Sequence, residues 1–510
     1  MFSHLMSMGV RGIDAYPIEV EAFVANGVPA FDVVGLPDNA VRESKDRVRA
    51  AMKTCGFEYP VSRITVNLAP ADIKKEGAMY DVPVLLSLMA ATGQIPPLSD
   101  DTAFIGELSL DGKARPVKGV LPMLTKAASL GITRFFIPAG NAAEASVAEN
   151  IECYPFADIN QLVGYLTGEN EITRVTPEDF AESVTYDNMP DYRDVRGQYD
   201  ARRALEIAAA GGHNILLIGP PGSGKSMLAK RLPSILPELT YEESVEVTKL
   251  HSIAGMLPEG CQLIRSRPFR APHHNASPAA LAGGGALAAP GEVSLAHRGV
   301  LFLDELPEFN PTAMEVLRQP LEDGKITISR ASGRLTYPCE FQLVAAMNPC
   351  RCGYYGHPTR ACTCAKGAVA KYQSRVSGPL LDRIDIQIEV PPVDYEKLSG
   401  TEEGECSADI RKRVEAARKI QLERLADSGA TCNARIDPAM LRRVCNLTDS
   451  AKMILEKAFN SLDMSGRAYD RILKISRTIA DLEGSETVTS AHVSEAVQYR
   501  SHDRQYWAAP

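Results

Sequence analysis

NILLIGPPGSGKSMLAKRL, residues 214–232, decides the fold. The apolar run Asn214–Ile218 reads as a strand, MLAKRL as the start of a helix, and GPPGSGKS, Gly219–Ser226, joins them. Strand, glycine-rich turn and helix in that order are the context of a phosphate-binding P-loop. Gly219, Pro220, Pro221, Gly222, Ser223 and Gly224 form the cradle, whose backbone N–H groups turn inward around phosphate oxygens. The helix N-terminus adds a dipole that favours the anion. Lys225 reaches the β- and γ-phosphates, and the Ser226 hydroxyl ligates Mg²⁺.

Downstream stretches supply the other parts of a nucleotide site. In GVLFLDELPEF, residues 299–309, the apolar Val300–Leu303 forms a buried strand ending in Asp304 and Glu305. Asp304 is placed to hold Mg²⁺ through water, and Glu305 to polarise the attacking water. FQLVAAMN, Phe341–Asn348, is a second buried strand with a polar end. Asn348 either orients that water beside the Walker strand or only starts the Asn-Pro turn, and the two roles are compatible. In SRVSGPLLDRIDIQIEV, residues 374–390, Arg383 sits where a core strand needs no cation. It reads as an arginine supplied to a neighbour's γ-phosphate, or as a surface ion-pair residue.

The 510 residues are too many for one core and imply about three domains. Residues 1–168 read as mixed α/β, with strands at Ile18–Val24, Arg63–Leu68, Phe104–Leu108 and Arg134–Ile137. Helical stretches fall at Asn39–Thr54 and Val82–Ala91. Residues 169–195 are an acid-rich linker, 196–400 the α/β nucleotide-binding core, and 401–510 a series of helical segments. No apolar run has the length of a membrane span. The N-terminus lacks the basic, apolar and small-residue sequence of a secretory signal, so the expectation is a cytoplasmic chain with reduced thiols. The net charge of −9 argues against a generally sticky nucleic-acid coat. Any DNA contact is expected to be local.

Two further stretches stand out. Glu322–Phe341 alternates apolar and polar residues on both sides of Ala-Ser-Gly and reads as a β-hairpin, with Arg330 and Arg334 flanking its turn. Those arginines are either pore-facing DNA contacts or solvated turn residues. NPCRCGYYGHPTRACTC, residues 348–364, contains two Cys-x-Cys pairs, Cys350 with Cys352 and Cys362 with Cys364. In a reducing compartment they favour a structural Zn²⁺ closed by four thiolates over disulfides. Free thiols, a redox-labile pair, and His357 in place of one sulfur are the alternatives.

GPPGSGKS, RPFRAPHHNASPAALAGGG, PGEVSLAHRGVLFLDELPEF, AAMNPCRCGYYG and GPLLDRIDI together resemble the magnesium-chelatase-related AAA+ ATPases, and more narrowly the bacterial YifB/ComM group. The resemblance extends over essentially the whole chain. It implies a parallel-sheet AAA+ core sandwiched by helices, a C-terminal helical lid, and a ring, a hexamer, with ATP between subunits. By motif position Lys225 and Ser226 match Walker A, Asp304 and Glu305 Walker B, and Asn348 sensor 1. Arg383 matches the arginine finger and Arg467 the sensor 2 arginine, with Arg375 and Arg471 competing for those roles. GGGALAAPGEVSLAHRG, residues 283–299, resembles the family's helix-2 insert. Members of the ComM type are associated with DNA branch migration in natural transformation, which implies a helicase-like motor here. A metal-chelatase motor subunit and a protein-remodelling ATPase are the competing functions.

The N-terminal region resembles the Lon protease catalytic domain on a ribosomal S5-like fold. KEGAMYD puts Met79 where that family has its serine, and GVLPMLTKAASLG puts Met123, or the nearby Lys126, at the lysine. A thioether cannot attack a carbonyl, so the expectation is a non-proteolytic module.

Overall fold

A computed structural model describes residues 1–176, 189–285, 288–330, 333–365, 367–393, 404–462 and 464–500. It divides into two compact units, Met1–Glu182 with Tyr241–Ile264, and Ser183–Thr240 with Arg265–Pro510.

The first unit is built on a seven-stranded mixed sheet. Its strand order is Ala30–Val34, Arg63–Ala69, Asp14–Ala25, Phe2–Arg11, Thr102–Phe104, Arg134–Pro138 and Glu152–Phe156. A long hairpin starts it, in register from Arg11 opposite Asp14 to Phe2 opposite Phe23. The strand expected at Phe104–Leu108 is split: Thr102–Phe104 lies in the sheet, while Glu107–Leu108 pairs with Ala114–Arg115 in a separate ribbon. The helix expected over Asn39–Thr54 breaks at Glu43 into Asn39–Arg42 and Ser44–Thr54, and Asp38 caps the first piece by accepting the Val41 N–H at 2.8 Å.

The helix Tyr241–Ala254, expected in the nucleotide-binding core from its place in the chain, belongs to this first unit. Polar groups fix it there. The Tyr241 hydroxyl donates to the Val147 carbonyl at 3.1 Å. The Gly119 N–H donates to Ser252 Oγ at 2.9 Å, and Ser252 donates in turn to the buried Glu144 carboxylate. Burial raises the Glu144 carboxyl above its usual range, against the hydrogen bond from Ser252.

The second unit holds a five-stranded parallel sheet, ordered Phe269–Arg270, Val300–Leu303, Gln342–Met347, Ile215–Ile218 and Ile386–Glu389. All residues of Val300–Leu303, Gln342–Met347 and Ile215–Ile218 are buried, as expected of parallel strands covered on both faces. The five helical segments read near the C-terminus are present as Ser407–Leu425, Pro438–Val444, Asp449–Leu462, Gly466–Leu482 and Ser490–Gln498. The expected hairpin forms from Lys325–Arg330 and Gly333–Pro338. Its turn residues Ala331 and Ser332, and the Arg330 side chain, lie outside the described residues, as do 177–188 of the linker. Tyr337 of the hairpin donates to the Ala288 carbonyl at 3.0 Å, so the hairpin packs on the Gly283–Pro290 stretch read as an insert. Among the described residues no helix is long and apolar enough to cross a membrane.

Asp481 is the polar node of the C-terminal helices. Its buried carboxylate accepts two bonds from Arg424 at 2.7 Å, one from Arg477 at 3.1 Å, and one from Asn433 at 2.8 Å. Removing it strands a buried guanidinium. Asp481→Ala should therefore cost about 3–5 kcal/mol, read as an earlier loss of helical circular dichroism in urea. A change below about 1 kcal/mol would show that the arginines find other partners.

Candidate nucleotide site and its surroundings

Register assembles the site. Ile215–Ile218 pairs residue for residue with Val344–Met347, and Leu303 pairs with Ala345. Asn348 therefore leaves its strand where Gly219 leaves the P-loop strand, and the Gly219 N–H donates to the Met347 carbonyl at 3.2 Å. Asp304 and Glu305 follow the third strand at the same sheet edge. The resulting cleft is lined by Pro221, Gly222, Gly224, Lys225, Ser226, Asp304, Glu305 and Asn348, together with Met227 and Met347. Gly224 opens the helix Lys225–Arg231 with φ +87°, a conformation that disfavours any side chain.

Lys225 points back into its own loop. Its ammonium donates to the carbonyls of Gly219 at 2.8 Å and Pro220 at 2.9 Å, and to Asn348 Oδ1 at 3.2 Å. Burial pulls its pKa down to about 8, opposed by Asp304 and Glu305. The Ser226 hydroxyl donates to Asp304 Oδ2 at 2.6 Å, so the hydroxyl and carboxylate expected at Mg²⁺ are already adjacent. The residues fit a magnesium nucleotide: a buried ammonium that has only neutral oxygens at hydrogen-bond distance is a ready partner for phosphate oxygens.

Some neighbours escaped the sequence reading. His274 Nδ1 lies 3.2 Å from Glu305 Oε2, and Glu305 itself has φ +53°, unusual for a side chain that is not glycine. The Gln198 amide donates to the Ser223 carbonyl of the loop. Asn214 donates to the Arg383 carbonyl at 2.8 Å and accepts the Leu343 N–H at 2.8 Å. His274 stands in the quoted stretch RPFRAPHHNAS, but nothing in its local pattern names Glu305 as partner.

Arg383 and Arg467 line a different cavity of the same unit, together with Glu322, Asp382, Asp385 and Arg471. The Arg383 guanidinium donates to the Glu322 carboxylate and, at 2.7 Å, to the Pro379 carbonyl. Arg467 is 68% exposed and 4.0 Å from Asp382, whereas the Arg471 side chain is only 13% exposed beside Asp385. Arg375 takes a third place, donating to Pro307 at 3.2 Å and Glu308 at 2.9 Å just past Glu305. Arg334 is an exposed residue of the hairpin, opposite Ser329.

The cysteines converge. The ligand atoms of Cys350, Cys352, Cys362 and Cys364 all lie within 4.8 Å of one another. Sulfur separations are 3.3 Å for Cys350–Cys352, 3.7 Å for Cys350–Cys362 and 3.5 Å for Cys352–Cys362. Metal–sulfur bonds of about 2.3 Å in a tetrahedron give sulfur–sulfur edges of about 3.8 Å, so the cluster could hold a metal ion. His357 is not part of it. Its Nδ1 accepts the N–H groups of Thr359 at 3.2 Å and Arg360 at 3.1 Å.

In the first unit Met123 is buried in the apolar cluster against which Met79 packs, whereas Lys126, three residues along the helix Val120–Ser129, is exposed. Of the positions read against a Lon-type serine and lysine, Met79 and Met123 are thus thioethers in an apolar environment, and the alternative Lys126 is an exposed amine outside it.

Three family models match: magnesium chelatase, subunit ChlI, over residues 191–398; subunit ChlI of Mg-chelatase over 20–141; and the ChlI C-terminal region over 404–500. Competence protein ComM of Haemophilus influenzae is 43% identical, covering 97% of this chain and 96% of that protein. The uncharacterized protein YifB of Escherichia coli is also 43% identical, with the same coverage of 97% and 96%. Lon protease of Mycolicibacterium smegmatis is 25% identical over 168 residues, 31% of this chain and 21% of that protein. With this full-length identity and a parallel P-loop core that ends in Lys225, Asp304 and Asn348, the chain belongs to the YifB/ComM family of magnesium-chelatase-related AAA+ ATPases.

Proposed function

We propose that this protein is an ATP-hydrolysing ring motor, a hexamer, that acts on DNA as a helicase-like or branch-migration factor in recombination or natural transformation. The observation that carries the ATPase part is the meeting of Lys225 with Asn348 and of Ser226 with Asp304 at one cleft. In this reading the backbone of Gly219–Gly224 and Lys225 hold the phosphates, and Ser226 and Asp304 hold Mg²⁺. The magnesium ion screens phosphate charge. Glu305 orients and polarises water, and Asn348 fixes the lysine at the γ-phosphate end. Arg383 lies in a cavity that the same-chain cleft does not share, which supports its acting as the arginine finger on a neighbouring subunit's nucleotide; Arg467, at the same cavity, is the sensor 2 arginine of the helical lid. An arginine supplied in this way is worth about 10³–10⁵ in rate.

The DNA part rests on the full-length likeness to a competence protein and on the hairpin that carries Arg330 and Arg334. Two arginines per subunit, repeated around a ring, give an acidic protein a locally positive channel. The four thiolates hold a structural Zn²⁺, and four protein ligands leave no open position for catalysis. The Lon-like unit, with Met79 and Met123 at the reactive positions, serves assembly or guidance rather than peptide cleavage. A cytoplasmic location fits reduced thiols.

ATPase rate measured with and without single-stranded or branched DNA, at two salt concentrations, tests the assignment. Stimulation that weakens with salt is expected. No stimulation and no salt-sensitive binding would leave a protein-remodelling or chelatase motor instead. Glu305→Gln should bind ATP and trap it unhydrolysed, and normal turnover in that variant would remove Glu305 from its role.

The buried amine gives a second check. The Lys225 pKa is lowered to about 8 from the ordinary 10.5, so the nucleotide-free fold is disfavoured wherever the unfolded chain holds the proton more tightly. Below pH 8 the ammonium is charged in both states and the cost is full; it fades as pH rises to 10.5. Lys225→Met should thus stabilise the nucleotide-free chain at pH 7 by about 1–2 kcal/mol, after solvent screening. The gain should shrink above pH 8 in thermal melts, and ATP should stabilise only the parent chain. A gain that does not change with pH would contradict this origin.

A further inference from the structure

The thiol cluster touches the P-loop. Gly353, between Cys352 and Tyr354, has φ +85°, and a β-carbon built on it would lie 2.3 Å from Pro221 Cδ and 2.7 Å from Pro221 Cγ. No side chain fits between Gly353 and the Pro221 ring, so the loop carrying the thiols lies directly against the phosphate loop. The same loop starts at Asn348, whose side chain accepts from Lys225 at 3.2 Å. Its first turn is pinned from the other side by the Gln373 amide, which donates to the Pro349 carbonyl at 3.0 Å.

The sulfur separations of 3.3 Å, 3.7 Å and 3.5 Å among Cys350, Cys352 and Cys362 are near the edges of a tetrahedral metal site, so the loop already has the shape of a loaded one. Its turns are held by backbone bonds, from the Gly353 N–H to the Cys350 carbonyl at 2.9 Å and from the His357 N–H to the Tyr354 carbonyl at 3.2 Å. Beyond these, the loop has little apolar burial to hold it. Of the four cysteines only Cys350 is buried.

We propose that a zinc ion on Cys350, Cys352, Cys362 and Cys364 is the brace of the nucleotide site: by fixing the loop from Asn348 to Cys364 it presses Gly353 on Pro221 and holds Asn348 at Lys225, so ATP affinity depends on metal occupancy. The proposal rests on Gly219–Ser226 being the ATP site. Zinc does no chemistry in it. It replaces the apolar packing that this short, glycine-broken segment cannot provide.

The test uses the full chain purified without chelator, with metal counted by elemental analysis and affinity read by titration with a fluorescent ATP analogue. About one zinc per chain is expected. Cys362→Ser should lose the zinc and bind the analogue about tenfold more weakly. Gly353→Ala should keep the zinc yet lose a comparable factor, because only the contact with Pro221 is broken. Should Cys362→Ser fail to fold, parent protein stripped with chelator and then reloaded gives the same comparison. Cobalt loading should produce the intense visible absorption of a tetrahedral tetrathiolate. Zinc below about half an equivalent, or unchanged in Cys362→Ser, would remove the metal site. Equal affinity in stripped, reloaded and Gly353→Ala protein would remove the brace. If loaded parent protein binds no analogue while zinc and the cobalt spectrum are present, the ATP-site assignment fails rather than the metal site.

Discussion

Three parallel strands that end together are the constraint on which the nucleotide site depends. Val300–Leu303, Gln342–Met347 and Ile215–Ile218 are hydrogen-bonded in a fixed register; at the sheet edge the first two pass directly from buried residues to Asp304 and Asn348, and the third to Gly219 of the phosphate loop. A slip of one residue along a strand turns each side chain to the other face and moves its end by about 3.3 Å. Either change separates Ser226 from Asp304, which stand 2.6 Å apart. The apolar content of these strands thus fixes the chemistry, because only the buried register brings hydroxyl, carboxylate, amide and amine to one place.

That arrangement is electrostatically uncomfortable until an anion arrives. Lys225 is buried among neutral oxygens, and its lowered pKa expresses the desolvation that the nearby Asp304 and Glu305 do not fully offset. A phosphate supplies the missing charge. The same burial that disfavours the empty site therefore contributes to affinity for the filled one, since the ammonium's hydration has already been given up in folding.

What could be read from the sequence divides along a physical line. The P-loop, the two buried strands with acidic and amide ends, and the hairpin are local patterns, and each appears within three residues of its expected place. Features that depend on distant partners were not legible. Phe2–Arg11 is a central strand, yet its pattern is obscured by a buried Ser7, which is tolerated because its hydroxyl donates to the Phe104 carbonyl at 2.9 Å. The helix Tyr241–Ala254 buries Ser244, Thr248, His251 and Ser252, so periodicity marks a helix but not its partner in the first unit. Likewise the four cysteines suggest a metal by type and spacing, whereas the contact of Gly353 with Pro221 follows only from the path of the chain.

Asn214 shows how the two arginine-bearing and phosphate-binding regions of one subunit are tied. Its backbone carbonyl accepts the N–H groups of Asp385 and Ile386 at 3.0 Å, and its side chain bridges the Arg383 carbonyl and the Leu343 N–H. Asp385 in turn accepts the Asn214 N–H at 3.1 Å and pairs with Arg471 at 3.5 Å. One residue at the base of the P-loop strand is therefore bonded to both the strand that ends in Asn348 and the segment that carries Arg383. Displacing any one of the three strains bonds to the other two, all of them short and largely shielded from water, where a lost hydrogen bond is not replaced. The backbone that carries Arg383 is thus tied directly to the base of the strand that leads into the phosphate loop. In the ring proposed above, with Arg383 serving the next subunit's nucleotide, that shared bonding would link one site to its neighbour.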